Sequence, residues 1–192
     1  MPLSLKRTVA PTDTPLSLTE VKQHLRLTSV DEDALLLLYL QAAVDEVERS
    51  TRRQLLTATW QLSLDDFTCE MFTLPRAPLQ SVSSVSYLDT DGDAQTLATT
   101  VYGVDTISEP GRVYLKTDQS WPAVYDQVNA VTITYLAGWT TPGQVPASLK
   151  QLILLLVGHM YEHREASIDK SLSLIPNGIE RLMWLHRVEV LD

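Results

Sequence analysis

Between Leu55 and Trp139 the apolar residues keep the period of a β-strand, and on either side of that block they keep the period of an α-helix. TWQLSLDDF sets Trp60, Leu62 and Leu64 against Gln61, Ser63 and Asp65, the alternation of a half-buried strand. The pattern continues through EMFTLP, SVSSVSYL, AQTLATTVYGVD, GRVYLKT and NAVTITYLAGW. Between these segments lie PRAP, DTDGD, ISEPG and DQSWPAVYD, all dense in turn-forming residues. About six short antiparallel strands are expected, bracketed by helices, so the fold class is α+β. The expected frame has two N-terminal helices, with one long and one short C-terminal helix. The division that follows is 1–54 for an N-terminal arm and helices, 55–140 for a β-rich insert, and 141–192 for C-terminal helices completing the helical body, all one structural unit.

The helices carry their own start signals. In SLTEVKQHLRL, Ser17 and Glu20 form an S-x-x-E capping box, and Leu18, Val21 and Leu25 have helical spacing, predicting a helix from about Leu18 to Leu27. SVDEDALLLLYLQAAVDEVERSTRR repeats the device with Ser29 and Glu32 and puts three acids in the first turn. Leu36, Leu40, Ala43 and Val47 supply its buried stripe, while Asp45 with Arg49 and Glu48 with Arg52 are spaced as i,i+4 ion pairs. Pro146 opens a third helix, SLKQLILLLVGHMYEHREAS, which places Leu149, Leu152, Leu156 and two histidines on adjacent rows. SIDKSLSLIP breaks it, and NGIERLMWLHRVEVLD restarts a helix of two or three turns with Asn177 as its cap and Glu180 three residues on.

Charge and cysteine usage exclude several classes of function. A formal net charge of -9 removes any general attraction to phosphate or anionic lipid, although an acidic wall beside a duplex lets it slide without sticking. The single cysteine, Cys69, rules out an internal disulfide and reads as a packed or half-exposed strand residue suited to a reducing cytoplasm. The apolar runs ALLLLYL and LILLLVG fall well short of the roughly 20 residues that span a bilayer, and MPLSLKRTVAPTDTP lacks the apolar core of a signal peptide. No membrane partner is expected.

The motifs that suggest chemistry are weak. HMYEH, His159 to His163, matches the H-x-x-E-H of one class of zinc peptidases, and i,i+4 spacing does put both imidazoles on one helix face with Glu162 available as a base. A catalytic zinc also needs a third protein ligand, and the acids that follow, Glu165, Asp169, Glu180, Glu189 and Asp192, form no recognisable ligand motif. DTDGD has its glycine fourth where a calcium loop needs it sixth, and Asp-Gly between two strands is a hairpin signal. No phosphate cradle or nucleophile elbow is present. Arg52 and Arg53 could touch phosphate, but at the end of an acidic helix they better complement its dipole. The reading is of a non-enzyme with no catalytic, metal or cofactor residues, and a zinc hydrolase at HMYEH remains the alternative from a different class. Met183, Trp184 and Leu185 either close the core or serve as a docking element.

In order and spacing, LSLTEVKQHLRL, the helix ending EVERSTRRQLLTATWQLSLDDF, LPRAPLQSVSSVSYLDTDG, GRVYLKTDQSWP, VTITYLAGW, VPASLKQLILLLVGHMYEHRE and IPNGIERLMWLHRV resemble the head-tail connector, or adaptor, proteins of tailed bacteriophages and related gene-transfer particles. The resemblance implies a structural virion protein, assembled in the host cytoplasm, that forms a homo-oligomeric ring beneath the portal protein in the neck. Such a ring continues the DNA channel, lets DNA pass without sequence-specific binding, and offers a platform to the stopper or tail terminator. A stopper or other neck component is the nearest alternative. In this family the C-terminal part commonly engages the portal, which points to Ile175, Pro176, Ile179, Leu182, Trp184 and Leu185. The family usually has a proline or a tyrosine-arginine pair after the last leucines, where this chain has Trp184, Leu185, His186 and Arg187. Ring closure requires two different faces on each subunit, so apolar surface beyond the core is expected on both.

Overall fold

A computed structural model describes residues 4–164 and 177–189. It shows four α-helices and two antiparallel sheets, which is the expected α+β class. The chain forms two compact units: Met1–Pro11, Thr57–Trp139 and Glu189–Asp192 in one, Thr12–Leu56 and Thr140–Val188 in the other. No helix among the described residues is long and apolar enough to cross a membrane.

The first unit contains all the strands. A five-stranded sheet runs in the order β1 (Ser4–Val9), β2 (Ala58–Leu64), β8 (Val131–Ala137), β4 (Leu79–Leu88), β5 (Ala94–Thr96). A three-stranded sheet runs β3 (Met71–Thr73), β7 (Arg112–Leu115), β6 (Tyr102–Asp105). In the central strand β8 every second residue, Val131, Ile133, Tyr135 and Ala137, is fully buried. On its partner β2 the alternation buries Ala58, Trp60 and Leu62, so one face of the sheet becomes the core, as a period of two dictates. Burying each large side chain contributes about 1.5–3 kcal/mol. The buried Tyr135 hydroxyl donates to the Pro75 carbonyl at 2.9 Å, and burial pushes its pKa up, so it stays a neutral donor.

Two strand assignments differ from the sequence reading. The proline-flanked arm is not merely a lead-in: Ser4–Val9 pairs antiparallel with β2, from Ser4 opposite Ser63 to Val9 opposite Thr59. Its side chains are mostly exposed, so no apolar alternation marks it. AQTLATTVYGVD is two strands rather than one. β5 pairs with β4; then Leu97 turns inward, its N–H donating to Val85, and a turn closed by Val101 N–H on the Ala98 carbonyl delivers β6 to the other sheet.

The hairpin reading of DTDGD fits the structure. Asp89 Oδ1 accepts the N–H groups of Asp91 and Asp93 at 3.1 and 3.0 Å, and Gly92 takes a φ of +87°, open to glycine at no steric cost. Cys69 departs from its reading: it is exposed in the bend before β3, not packed in a strand. Its carbonyl accepts from the Trp121 indole at 2.9 Å, and Trp121 in turn stacks on Phe67 at 4.7 Å.

The second unit comprises α1 (Leu18–Leu25), α2 (Asp33–Thr51), a 3-10 turn at Pro142–Gln144, α3 (Ala147–Glu162) and α4 (Asn177–His186). The first capping box forms as expected: Ser17 Oγ accepts from Glu20 N–H at 3.2 Å, and Glu20 returns a carboxylate to Ser17 N–H at 2.7 Å. The second does not. Ser29 instead closes a local turn on Asp31, and α2 begins one turn later, with Glu32 at its N-cap position making no side-chain cap. Glu32 is instead engaged by Tyr161 and Arg164, two hydrogen bonds, one of them from a guanidinium, in place of the single one a capping box would give its side chain.

The stripe Leu36, Leu40, Ala43 and Val47 is buried as expected; α2 packs against α3, whose Leu149, Leu152, Ile153 and Leu156 are buried as well. The two i,i+4 ion pairs are not formed. Arg49 pairs with Glu46 at i,i+3, and Glu48 faces inward, where it accepts from Gln54 Nε2 at 2.6 Å and Leu55 N–H at 2.9 Å. A buried carboxylate must be saturated by donors, and the turn after α2 supplies them.

Candidate docking site

The residues singled out at the end of the chain lie on and before α4. Ile175 and Pro176 fall outside the described residues, as does the SIDKSLSLIP break. α4 itself is amphipathic: Ile179 and Met183 are buried, Leu182 is half-buried, and Trp184 and Leu185 are 69% and 63% exposed. At 100° per residue, Ile179 and Met183 lie on one row, and Trp184 and Leu185 turn progressively away from it. Ile179 therefore helps hold the helix in place, and the surface available to a partner is the Trp184–Leu185 ridge. An exposed tryptophan beside an exposed leucine is the type of anchor that concentrates binding energy.

Both ends of α2 help to seat these helices. Arg53 Nε donates to the His186 carbonyl at 2.7 Å, and Val188 N–H donates to the Thr51 carbonyl at 2.9 Å. Arg53 thus complements a helix C-terminus, as its position suggested, but that of α4 rather than α2, while Arg52 adopts the left-handed conformation that ends α2. Burial, with Arg53 adding to it, lowers the His186 pKa.

At the other end of α2, Glu32 Oε2 accepts from the Tyr161 hydroxyl at 2.5 Å and Oε1 from Arg164 Nη2 at 2.6 Å. Arg164 also lies over the Tyr161 ring, 4.5 Å from its centroid. Hydrogen bonds from Tyr161 and then Arg164 hold the Glu32 carboxyl below the usual carboxylate range, and the same contact raises the Tyr161 phenol. This clamp was not legible in the sequence: its partners are 129 and 132 positions apart, and the spacing of Glu32 pointed to a local cap instead.

HMYEH spans the last turn of α3, His159 to Glu162, and its C-cap residue, His163. The His159 and His163 rings meet edge to face at 4.8 Å, and among the described residues no group of three His, Cys, Asp or Glu side chains is placed to hold a metal ion. What the segment does line is an open cleft of about 480 Å³. Leu155, Gly158, His159 and Glu162 of α3 form one wall, Gly178, Ile179 and Leu182 of α4 the other, and His24 of α1 stands at the rim. Of the six C-terminal residues, two therefore face this cleft and two form the exposed ridge.

Similarity to known proteins extends over most of the chain. The model of a family described as head completion protein matches residues 15–173. In fold, the chain is similar to one from the neck of an empty gene transfer agent (GTA) particle computed with C6 symmetry, with a TM-score of 0.81 and 26% identity over 98% of this chain and 97% of that one. It is similar to a chain in the virion of the native particle at 0.80 and 26%, and to one in the native neck computed with C12 symmetry at 0.76 and 25%, with the same coverage. No curated protein matches the chain in sequence. The family match stops before α4, whereas the likeness in fold continues through it.

Proposed function

The chain belongs to the head completion protein family, and from that premise we propose that it is a structural subunit of the neck of a tailed-phage or gene-transfer virion, a head-tail adaptor that works by assembly. It joins a homo-oligomeric ring beneath the portal, continues the DNA channel, and gives the stopper or tail terminator its platform. The observation that carries this reading is the likeness in fold, at TM-score 0.81 over nearly the whole of both chains, to a protein whose place is a particle neck.

The surface supports it. The helical unit exposes two separate apolar pairs, Leu37 with Leu38 on α2 and Trp184 with Leu185 on α4. A ring subunit needs at least two distinct contact faces, since a head-to-tail interface pairs unlike surfaces. We assign the α4 ridge, Trp184 and Leu185, to the portal, with Ile179 and Leu182 setting its angle and Ile175 and Pro176 leading into it. The net charge of -9 suits a channel that DNA crosses without binding.

Deletion of the gene tests this directly. Particles lacking the chain should fill with DNA but fail to carry a stable tail; normal tailed particles in its absence would refute the adaptor role.

A further inference from the structure

Resting on the ring reading, we propose that two unlike surfaces of the first unit join neighbouring copies of the chain: a cationic strip on β7 of one copy receives the acidic β4–β5 tip of the next.

The strip lies on the outward face of the three-stranded sheet. Arg112 and Tyr114 alternate with buried Val113 along β7, and Lys116 follows at the same spacing just past the strand. Tyr114 stands opposite Met71 on one side and Gly103 on the other. Because Gly103 has no side chain, the Tyr114 ring lies across it, where an added Cβ would fall 2.4 Å from the ring. Met71 and Tyr114 are 47% and 41% exposed. Arg112 Nη1 points at the Met71 sulfur at 3.9 Å and Lys116 Nζ donates to the Thr99 carbonyl at 2.8 Å, and neither pairs with a carboxylate among the described residues. Asp105, opposite Arg112 in register, spends its carboxylate on the N–H groups of Ile107 and Ser108.

The tip has a similar build with the sign of the charge inverted. Asp91 and Asp93 flank Gly92, and an added Cβ at Gly92 would rest 3.7 Å from the Tyr125 ring. Tyr125 and Val128 are 42% and 73% exposed. Asp89 is occupied locally by Asp91, Asp93 and Gln95, whereas the carboxylates of Asp91 and Asp93 bond to no described residue. Each surface therefore sets a tyrosine and an aliphatic side chain beside two charges, positive on the strip and negative on the tip.

A second copy is the occupant that these features fit. A contact between unlike surfaces repeats from copy to copy, as a ring requires and a two-fold dimer does not. At a net charge of -9 neighbouring copies repel, so a contact between them needs opposite charges brought together locally. The strip supplies them: the other described cations of this acid-rich unit are Lys6 and the two arginines over Trp60, Arg7 and Arg76. Two cations around a tyrosine and a methionine suit a protein surface better than the evenly charged backbone of DNA.

The test is charge reversal and its repair. Particles are purified from cells lacking the gene and supplied with wild type, with Arg112→Glu and Lys116→Glu, with Asp91→Lys and Asp93→Lys, or with all four substitutions, and copies of the chain are counted against the portal by mass spectrometry. Either pair alone sets like charges against each other and should lower the copy number about tenfold or more. The four-site chain restores opposite charges at every contact and should return to within about twofold of wild type. A loss in the strip variant that the four-site chain does not repair, with wild type at the portal's copy number, would overturn the contact, give the strip to the portal, the stopper or the passing DNA, and leave the ring standing. Full copy number in both paired variants would overturn it as well. Absence of wild type from the particles would remove the ring and the contact together. Cross-linking checks the contact with all charges in place. In a Cys69→Ser background, Thr117→Cys beside the strip and Thr90→Cys in the tip should together give a ladder of multimers in particles treated with a short bismaleimide, and neither cysteine alone should give one. No ladder, or dimers from a single cysteine, would overturn the proposal.

Discussion

Tyr161 and Glu32, 129 positions apart in the chain, are joined by a hydrogen bond of 2.5 Å that ties the end of α3 to the start of α2. The Glu32 carboxyl titrates below its ordinary range because Tyr161 and Arg164 donate to it, so its contribution to stability is fully present above the unfolded-state pKa of about 4.3 and is lost as pH falls through the lower folded-state value. Melting temperatures of wild type and Glu32→Gln should therefore differ at pH 7 and converge as pH drops below about 4. A constant difference across that range would mean that the carboxylate charge is not what the clamp uses.

Arg53 caps α4 through the His186 carbonyl. Arg53→Ala should lower stability by about 1–2 kcal/mol, measured by urea unfolding, and should raise hydrogen exchange in α4 more than in α3. Equal loosening of both helices would show that Arg53 acts on the unit as a whole.

Gly111 lies against the side chain of buried Leu79, where an added Cβ would come within 2.5 Å of Leu79 Cβ. That atom is fixed to the β4 backbone, so the clash has no flexible exit. Gly111→Ala should cost about 1–3 kcal/mol of unfolding free energy, whereas Gly143→Ala, with no close neighbour but a hydroxyl at 4.0 Å, should stay within about 0.5 kcal/mol of wild type.

Trp184 is 69% exposed, so Trp184→Ala should leave stability within about 0.5 kcal/mol of wild type. It should nevertheless weaken association with the portal by about 2 kcal/mol, near 30-fold, as a central aromatic anchor does. Loss of stability without loss of binding would return Trp184 to the core.

Where one periodicity ran unbroken over many residues, the sequence was a good guide to the fold. The buried stripe of α2 and the alternation in β2 and β8 were plain because each residue's burial depends only on its position along one element. The capping box at Ser17 was plain for the same local reason. At Ser29 the same signal misled, since Glu32 is engaged by Tyr161 and Arg164 in place of a local cap. Glu48 misled likewise: its spacing to Arg52 suited a surface pair, but the turn after α2 folds Gln54 and Leu55 onto it. β1 left no pattern because an edge strand with mostly exposed side chains has no apolar face to alternate. At the candidate site, the sequence marked α4 and HMYEH separately. That Gly158, Glu162, Ile179 and Leu182 share one cleft depends on the packing of α3 against α4, which no local pattern encodes.

The central claim, a neck ring at the portal, is met most directly by quantitative mass spectrometry of purified particles, comparing copies of this chain with copies of the portal protein. Low and nearly equal copy numbers are the predicted result. Absence of the chain from mature particles, or a copy number many times that of the portal, would contradict it.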